Sequence, residues 1–344
     1  MIKLEDLLAF YNWTSTHVDM DKCQQLKEEG YLQMKKHPEY PLYLLNYTSK
    51  TQYTQQWCKE LIHARGLVVA EDGEIIARPL PKFFNLSEID GLDGIPEQEY
   101  ELYEKMDGTL AIMFHYREKR IFCTRGSFCS DQALKAEEIF KKKYLIRNVM
   151  KECTYCFEII YPENKIVVNY GEIEDLFLLS ITHVRSGKPV NIDETGFKTA
   201  KKIITTGICP TKWIVDDLEN EEGYVMRFIS DNIRVKIKFD NYVQKHRGKN
   251  SSAKAIKQSM KKMEKINLDA IPDECYDEVK EITADMEEQF KQREKHVMNI
   301  YEVLKEKNTS NRDLIESIKH SHYSKILFAI HAKKPYDKLI WKSL

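Results

Sequence analysis

The sequence predicts an α+β body followed by a separate, all-helical domain. In the first 244 residues, short apolar runs alternate with turn-forming Gly and Pro, a pattern typical of strands joined by hairpins. Beyond residue 244, apolar residues recur at helical intervals, beginning with Val279, Ile282, Met286 and Phe290. A chain of 344 residues is long enough for two domains. We therefore expect one domain at 1–244 and a second at 245–344.

Composition sets the broad class of the protein. The net charge is −1 and 42% of the residues are hydrophobic, which is enough for a sizeable core. Residues 245–344 contain 21 Lys and Arg against 16 Asp and Glu, whereas residues 1–244 contain 32 against 38. The sharpest basic cluster, at 245–265, has eight basic residues and one acidic residue. It is either a solvated face or a surface for a polyanion.

Targeting and cysteine patterns indicate an intracellular protein. The N-terminus carries Lys3, Glu5 and Asp6, and no signal peptide or long apolar span is evident. Among the eight cysteines only Cys153 and Cys156 have paired spacing, and a zinc site needs about four ligands, so we interpret this pair as structural. We expect a soluble protein of a reducing cytoplasm, without membrane association.

The first part of the body predicts two helices, a strand and a hairpin. Residues 1–11 and 18–36 have helical character, and 41–47 is strand-like. Residues 63–70 and 74–78 flank an Asp-Gly turn and predict a hairpin with Arg65 near its start. Pro79 and Pro81 exclude a central strand, so Lys82 should lie on an irregular strap beside a buried Phe83 or Phe84.

Lys105 is the first candidate for chemistry. It lies two residues before Asp107-Gly108-Thr109, between the strand-like runs 99–103 and 110–116. Asp-Gly is typical of tight hairpin turns, so we expect Lys105 at the end of a strand, just before such a turn. A lysine there is either a solvated hairpin residue or a nucleophile whose amine is deprotonated with help from neighbouring cations or burial.

Further strands and helices follow to residue 239. A longer helix is predicted at 131–152 and a short helix at 193–206. Strand-like runs lie at 121–128, 156–160, 166–168, 176–181, 221–228 and 234–239. In the last run, Lys236 and Lys238 should share one face, while Val235, Ile237 and Phe239 face the core.

A few polar residues of the body fit poorly with a purely structural role. Glu158 lies inside an apolar strand, where an ionised acid needs a partner, and Glu222 precedes another apolar strand. Taken singly, each of these residues and the Lys236–Lys238 pair is compatible with ordinary structure. Taken with Lys105 and Asp107, they indicate one pocket with lysines for phosphates and carboxylates for Mg²⁺. The P-loop signature is absent.

The ordered motifs resemble those of covalent nucleotidyltransferases, the superfamily of ligases and capping enzymes. They are Lys105-x-Asp-Gly-Thr, Phe157-Glu158, Glu222-Gly223-Tyr224-Val225 and Val235-Lys236-Ile237-Lys238. The chain is most similar to the phage RNA ligase 1 family, through Arg65-Gly66, the run 81–86, Arg125-Gly126-Ser127 and the helical tail. The resemblance covers about residues 40–244. It implies a nucleotidyltransferase (adenylation) domain on antiparallel sheets with flanking helices, plus an all-α C-terminal domain.

The resemblance also implies a reaction. Lys105 would attack the α-phosphate of ATP to give lysyl-AMP, AMP would pass to an RNA 5′-phosphate, and a 3′-hydroxyl would displace it. Lys236 and Lys238 would hold the α-phosphate and assist Lys105. The cofactors would be ATP and Mg²⁺, with Mn²⁺ able to substitute. The partners would be RNA with 5′-phosphate and 3′-hydroxyl ends and an end-healing kinase or phosphatase, in RNA (tRNA) repair by a monomer.

The remaining site residues are implied by matching motif positions. Asp107, Glu158 and Glu222 match positions that hold magnesium, largely through its waters, while Tyr242 and Asp273 would serve a second metal. Arg65 and Lys82 match phosphate-contacting positions, and Arg125 matches a basic position that is often a lysine in the family. Leu179 and Val225 match the residues expected on the two adenine faces. The tail is shorter than the family's, and we place RNA specificity there.

Two other readings remain open. A DNA ligase or an mRNA-capping-type enzyme usually has an OB-fold after the last motif, and the helical spacing past residue 245 argues against both. A nucleic-acid-binding protein with an inactive ligase fold would be expected to lack Lys105 or Lys238, and both are present.

Overall fold

The computed structural model of the protein describes residues 2–90, 99–145, 149–193, 195–208, 219–229, 232–243, 253–266 and 276–344. The chain divides into two compact units, Met1–Lys245 and His246–Leu344. None of the described helices combines the length and the apolar character needed to cross a membrane.

The strands all lie in the first unit. They are β1 (Ile2–Lys3), β2 (Leu32–Lys36), β3 (Leu42–Tyr47), β4 (Arg65–Ala70), β5 (Ile75–Ala77), β6 (Phe84–Asn85), β7 (Ile89–Asp90), β8 (Glu99–Glu104), β9 (Thr109–Tyr116), β10 (Lys119–Thr124), β11 (Cys153–Ile160), β12 (Asp175–His183), β13 (Pro189–Val190), β14 (Lys198–Thr199), β15 (Lys202–Ile208), β16 (Gly223–Phe228) and β17 (Arg234–Lys238) among the described residues.

The helices are divided between the units. The first unit has α1 (Leu4–Tyr11), α2 (Met20–Glu28), α3 (Ser49–Thr54), α4 (Lys59–His63) and α5 (Asp131–Lys143), with short 3₁₀ turns at Leu86–Glu88 and Pro162–Asn164. The second unit has α6 (Ala253–Lys262), α7 (Tyr276–Lys307), α8 (Asn311–Lys319), α9 (Ser324–His331) and α10 (Asp337–Ser343).

Three mainly antiparallel sheets form the body. A four-stranded sheet has the order β2-β3-β4-β5, and a five-stranded sheet has the order β15-β8-β16-β17-β6. A six-stranded sheet has the order β10-β9-β11-β12-β13, with β14 also paired to β12. β1 and β7 form a small parallel pair. The α+β architecture with antiparallel sheets and a helical C-terminal region is as predicted.

The six-stranded sheet is covered on both faces. On one face Met113 and Phe157 pack with Phe140 of α5. On the other, Ile112 and Phe114 pack with residues of the four-stranded sheet such as Val68. The five-stranded sheet instead has a single apolar face, formed by Leu102, Met226 and Val235 against Leu7 of α1. Its second face is therefore available for polar side chains.

The predicted Lys105 hairpin is wrong. β8 pairs with β15 and β16, whereas β9 pairs with β10 and β11, so the strands on either side of Lys105 belong to different sheets. The reason is burial: the run from Ala111 to Phe114 is fully buried and needs a strand on each side and a layer on each face. β8 has the alternation of a half-exposed strand. The nucleophile candidate thus lies where the chain passes from one sheet to another.

Four element predictions need correction. The helix expected over 18–36 covers only α2, because the chain turns at Gly30 with a φ of +81° and continues as β2. The helix predicted over 131–152 ends at Lys143. The short helix predicted over 193–206 is replaced by β14 and β15, in agreement with the β-branched run Ile203–Thr206. Residues 166–168 form no strand, because the backbone N–H groups of Val167 and Val168 bond to a side chain.

The second unit has its own apolar core. Val297 of α7 packs with Ile318 of α8, Leu327 of α9 and Ile340 of α10. Between α7 and α8 the chain is capped by a side chain: the Ser310 hydroxyl accepts from the Asp313 N–H at 3.2 Å at the start of α8.

Candidate active site

A cavity of about 710 Å³ lies within the first unit. Its walls come from all three sheets: Arg65 from the four-stranded sheet, Glu158 from the six-stranded sheet and Val225 from the five-stranded sheet. Seven of the residues predicted from the sequence line it, namely Arg65, Lys105, Arg125, Glu158, Leu179, Val225 and Lys236. Residues from distant parts of the chain therefore meet at one concave surface.

Lys105 is held at the cavity by the five-stranded sheet. Its backbone N–H donates to the carbonyl of Gly223 at 2.9 Å. Its Nζ lies 2.6 Å from Oε2 of Glu222, and the other oxygen of that carboxylate lies 3.2 Å from Nζ of Lys238. The Glu222 side chain is only 3% exposed. One buried carboxylate thus positions two ammonium groups, the candidate nucleophile and a candidate phosphate ligand.

Gly223 allows this arrangement. It has a φ of +138°, a conformation that other residues rarely adopt. A Cβ atom there would lie 2.0 Å from the carbonyl oxygen of Ile237 and 2.8 Å from the Cα of Lys238. The Glu222-Gly223 pair therefore lets β16 approach β17 closely, directly beside the carboxylate that binds both lysines.

Glu158 approaches Lys105 from the opposite sheet. Its Oε1 accepts from the backbone N–H of Gly108 at 3.1 Å. Burial raises the pKa of Glu158 to about 7, while the charge of Lys105 acts in the opposite direction. A Cβ on Gly108 would lie 2.4 Å from the carbonyl oxygen of Ile159, so glycine is needed here for close packing. The positive φ expected at an Asp-Gly turn is absent at Gly108.

Asp107 is enclosed by hydrogen-bond donors. Its Oδ2 accepts from the backbone N–H groups of Val167 and Val168, both at 2.8 Å, and its Oδ1 accepts from the hydroxyl of Tyr242 at 2.8 Å. The Asp107 N–H in turn donates to the hydroxyl of Tyr170 at 2.8 Å. Asp107 is 4% exposed. Its carboxylate therefore links the loop at residues 105–108 to two other segments of the chain.

The predicted metal ligands do not form one cluster. Within the part of the chain that the structure describes, no three His, Cys, Asp or Glu side chains are placed to share a metal ion. Glu222 is bound to lysines and Asp107 to N–H and O–H donors, whereas Glu158 lines the cavity. Glu158 thus provides a carboxylate of the kind that Mg²⁺ prefers. Asp273, predicted for a second metal, lies outside the described residues.

Two predicted phosphate-binding cations flank one aromatic ring. The guanidinium of Arg65 lies 5.6 Å from the ring centre of Phe83, and Nζ of Lys236 lies 5.3 Å from it. Arg125 donates from Nη1 to the hydroxyl of Tyr47 at 3.2 Å. These three cations face the cavity that contains Lys105.

Lys82 has a different environment. Its side chain is 1% exposed, and its Nζ lies 5.0–5.8 Å from the ring centres of Tyr47, Trp57 and Phe84. Lys82 is absent from the described residues that line the cavity. Phe84, one of the two phenylalanines expected to be buried beside Lys82, is fully buried in the core.

Sequence reasoning missed one row of the cavity wall. Glu101, Arg227 and Arg234 lie side by side on adjacent strands of the five-stranded sheet and line the cavity. Tyr103 and Lys202 lie next to them on the same wall. Part of the signal was available: Arg227 is two positions from Val225 and Arg234 is two positions from Lys236, and residues two apart share one face of a strand.

Charge within this row is tightly arranged. Oε1 of Glu101 lies 3.1 Å from Nζ of Lys202, and Oε2 lies 3.0 Å from Nη1 of Arg227. The Tyr103 hydroxyl also donates to Oε2 at 2.8 Å. Burial alone would raise the pKa of Glu101, but these donors hold it below its ordinary value. Burial lowers the pKa of Arg234 to about 10.

Two curated relatives have names that include RNA ligase. A protein of Thermovibrio ammonificans named "Putative RNA ligase" is 29% identical over 206 residues, 53% of this chain and 52% of that protein. A "Putative bifunctional polynucleotide kinase/RNA ligase" of Autographa californica nuclear polyhedrosis virus is 25% identical over 263 residues, 68% of this chain and 37% of that protein. The chain thus spans about half or less of the length of these relatives.

Solved structures give matches of lower similarity. An archaeal ATP-dependent RNA ligase matches with a TM-score of 0.42 and 15% identity, covering 71% of this chain and 65% of that one. A Naegleria gruberi RNA ligase with PPi matches with a TM-score of 0.33 and 15% identity, covering 44% and 53%.

The family comparison covers the residues that build the cavity. The family described as RNA ligase matches residues 63–245, just over half of the chain. The matched region begins next to Arg65, contains Lys105, Glu158 and Glu222, and ends past Lys238. The chain therefore belongs to the RNA ligase family.

Proposed function

We propose that this protein is an ATP-dependent RNA ligase that joins RNA 5′-phosphate and 3′-hydroxyl ends through a lysyl-AMP intermediate. The observation that carries the proposal is the position of Lys105. Its amine lies in a cavity that also presents Arg65, Lys236 and Glu158, and Glu222 fixes it at 2.6 Å. Phosphoryl transfer depends mainly on alignment and charge neutralisation, and this geometry provides both.

In the first step, the deprotonated amine of Lys105 attacks the α-phosphorus of ATP. A nitrogen–phosphorus bond forms, the bond to the bridging oxygen breaks, and pyrophosphate leaves. Glu222 lies within hydrogen-bond reach of the amine and can accept its proton. Lys236 and Lys238 offset the negative charge that develops on the phosphoryl oxygens.

The next two steps transfer and release AMP. An oxygen of the RNA 5′-phosphate attacks the phosphorus of lysyl-AMP, and the Lys105 amine leaves and is reprotonated. The RNA 3′-hydroxyl then attacks the 5′-phosphate of the adenylated end, so that a phosphodiester forms and AMP departs. The same cations serve in both steps, because each transfer takes place at a phosphorus atom beside them.

A divalent metal fits this site through Glu158. Its carboxylate lines the cavity beside Lys105, and Mg²⁺ commonly binds one or two carboxylates and retains several waters. Mg²⁺, or Mn²⁺ in its place, would neutralise phosphate charge there. The metal-binding roles of Asp107, Glu222, Tyr242 and Asp273 stay predictions.

The helical unit is the proposed site of RNA specificity. The division after Lys245 supports separate domains at 1–244 and 245–344. In the described part of the basic cluster, α6 carries Lys257, Lys261 and Lys262, and lysine contacts to an RNA backbone are strengthened by counterion release. None of the described residues 253–266 and 276–344 lies in a strand, which supports an RNA ligase over enzymes with an OB-fold at this place.

The biological context follows from the ends that the reaction needs. The viral relative's name couples an RNA ligase to a polynucleotide kinase. An enzyme of that class generates 5′-phosphates, so we propose an end-healing kinase or phosphatase as the partner in RNA (tRNA) repair. A monomer in the cytoplasm stays our expectation.

The proposal is tested by incubation with α-labelled ATP and Mg²⁺, followed by a denaturing gel. We expect a labelled protein band that is lost in Lys105→Ala and is retained in Lys36→Ala, an exposed lysine paired with Glu71. Lys236→Ala and Lys238→Ala should also block labelling while the fold is kept. Label from GTP alone would indicate a capping enzyme, and absence of label from every nucleotide would contradict the proposal.

A further inference from the structure

The cavity wall formed by the five-stranded sheet consists of successive rows of side chains. The sheet register aligns Lys236, Val225 and Tyr103 in one row. The next row contains Arg234, Arg227 and Glu101, and Lys202 extends from β15 to Glu101. We call Glu101, Lys202, Arg227 and Arg234 the base-edge row. Lys105 lies on the other side of the Val225 row, next to Gly223.

The spacing of the rows matches the parts of a nucleotide. Successive rows on one face of a strand are about 6.8 Å apart. With the α-phosphate at Lys105 and the base over Val225, as the proposed function requires, the base-edge row lies one step further. That step accommodates half of a base ring and a hydrogen bond of about 3 Å.

The row has unused hydrogen-bonding capacity towards the cavity. A carboxylate oxygen can accept about two hydrogen bonds. Oε2 of Glu101 accepts from Tyr103 and Arg227, whereas Oε1 has Lys202 as its described donor. The Lys202 ammonium has three N–H donors, of which one binds Glu101 and one is directed at the Tyr103 hydroxyl, so that a third is left for a ligand. An acceptor and a donor therefore stand side by side, with the two side chains 14% and 26% exposed.

This pair is complementary to adenine. Adenine presents an amino donor at its 6-position beside an acceptor at N1, whereas guanine in the same pose presents an oxygen acceptor and an N–H donor. Guanine would place its oxygen against the Glu101 carboxylate and its N1–H against the Lys202 ammonium. Both contacts would be repulsive, so the row can select adenine over guanine.

We propose that Glu101 and Lys202 recognise the base of ATP, with Glu101 accepting from the adenine 6-amino group and Lys202 donating to N1. Arg227 and Tyr103 are positioning residues that fix the Glu101 carboxylate. The inference rests on the proposed function, because it places the base by the position of the phosphate. It deepens that function by assigning nucleotide selectivity to a row of side chains that the ligase motifs do not contain.

The experiment removes the hydrogen bond between the adenine 6-amino group and Glu101, first by changing the nucleotide and then by changing the protein. The rate of protein labelling at subsaturating nucleotide is measured for ATP and for purine riboside triphosphate, which lacks the 6-amino group. We expect the wild-type protein to prefer ATP by at least about tenfold, the effect of one charged hydrogen bond. In Glu101→Leu, which has no acceptor for the 6-amino group, the preference should fall towards unity. The matched control is Glu71→Leu, which changes an exposed acid in the same way and should keep the wild-type preference.

A second cycle addresses Lys202 separately. The analogue is 1-deaza-ATP, which lacks N1, and the variants are Lys202→Met and the exposed control Lys36→Met. We expect the preference for ATP over 1-deaza-ATP to collapse only in Lys202→Met. This arm keeps the inference testable if thermal melting shows that Glu101→Leu is unfolded.

The outcomes separate the two proposals. If the wild-type protein is labelled by ATP but both preferences are unchanged in the variants, the base-edge assignment is wrong and the ligase proposal stands. If no nucleotide labels the wild-type protein, both fail. A separate variant, Glu101→Gln, has an amide NH₂ that can donate to the guanine oxygen, and a rise of its GTP labelling relative to ATP would give independent support.

Discussion

Removing the Asp107 carboxylate distinguishes a structural link from a metal ligand. The carboxylate accepts two backbone N–H groups and the Tyr242 hydroxyl, all at 2.8 Å, and is 4% exposed. Asp107→Ala would leave three buried donors without their acceptor. At about 1–3 kcal/mol for each of the three donors, the free energy of unfolding should fall by roughly 3–9 kcal/mol, and by less where water replaces the carboxylate.

Asp107→Asn is the informative partner variant. The amide oxygen can still accept from Val167 and Val168, and the amide NH₂ can donate to the Tyr242 oxygen, so most of the link is preserved. We expect a loss below about 2 kcal/mol and labelling by ATP close to that of the wild-type protein. Asp107→Ala should lose both stability and labelling, at every Mg²⁺ concentration.

The assay is urea unfolding combined with ATP labelling across an Mg²⁺ titration. A residue that holds magnesium through its waters should behave differently, because Asn and Ala would both raise the Mg²⁺ requirement and excess Mg²⁺ would restore labelling. If Asp107→Asn abolished labelling while its unfolding free energy stayed within about 1 kcal/mol of the wild-type value, the structural link would be refuted.

Three further predictions concern other parts of the molecule. Burial raises the pKa of Glu158 to about 7, so the native state binds a proton that the unfolded state releases; without divalent metal, the unfolding free energy should therefore fall by on the order of 3 kcal/mol as the pH rises from 4.5 to 7. Glu158→Gln should flatten this pH dependence in urea melts, and an unchanged dependence would contradict the prediction. Gly223→Ala should cost more than about 2 kcal/mol, because its Cβ would clash with Ile237, whereas Gly126→Ala has open space and should be nearly neutral. Changing Lys261 and Lys262 to Glu should weaken RNA binding and reduce its salt dependence, while ATP labelling stays intact. The same change at Lys305 and Lys307 should have a smaller effect. Equal effects in filter binding would show that α6 is not part of the RNA-binding surface.

Local pattern was sufficient for much of the five-stranded sheet. The alternation over 234–239 predicted that Val235, Ile237 and Phe239 face the core, and the structure confirms it: Val235 and Phe239 are buried and Ile237 packs against the apolar cluster. The helical spacing that begins with Val279 is also confirmed, by α7. These features depend on the period of one segment and on residues a few positions apart, which a sequence displays directly.

Non-local contacts explain what the sequence did not predict. Asp-Gly chemistry suggested a hairpin at Lys105, but which strands pair there depends on burial of β9 by layers far away in the chain. Val167 and Val168 look like strand residues, yet their N–H groups are taken by Asp107, about 60 positions earlier. The base-edge row was missed for the same reason, because its members become neighbours only through the register of β8, β16 and β17.

The contacts of the loop at residues 105–108 explain why the residues of this motif are so close together in the sequence. Each anchoring residue of the loop binds a different part of the fold: Lys105 binds Glu222 and Gly223, Asp107 binds the segment at Val167, and Gly108 binds Glu158. A connection between two sheets would otherwise be free to move, and a misplacement of about 1 Å can reduce a reaction rate substantially. The short spacing from Lys105 to Gly108 therefore fixes the Lys105 amine to both sheets, so that the distance between this amine and the cations of the opposite wall is set by the sheets and not by the loop.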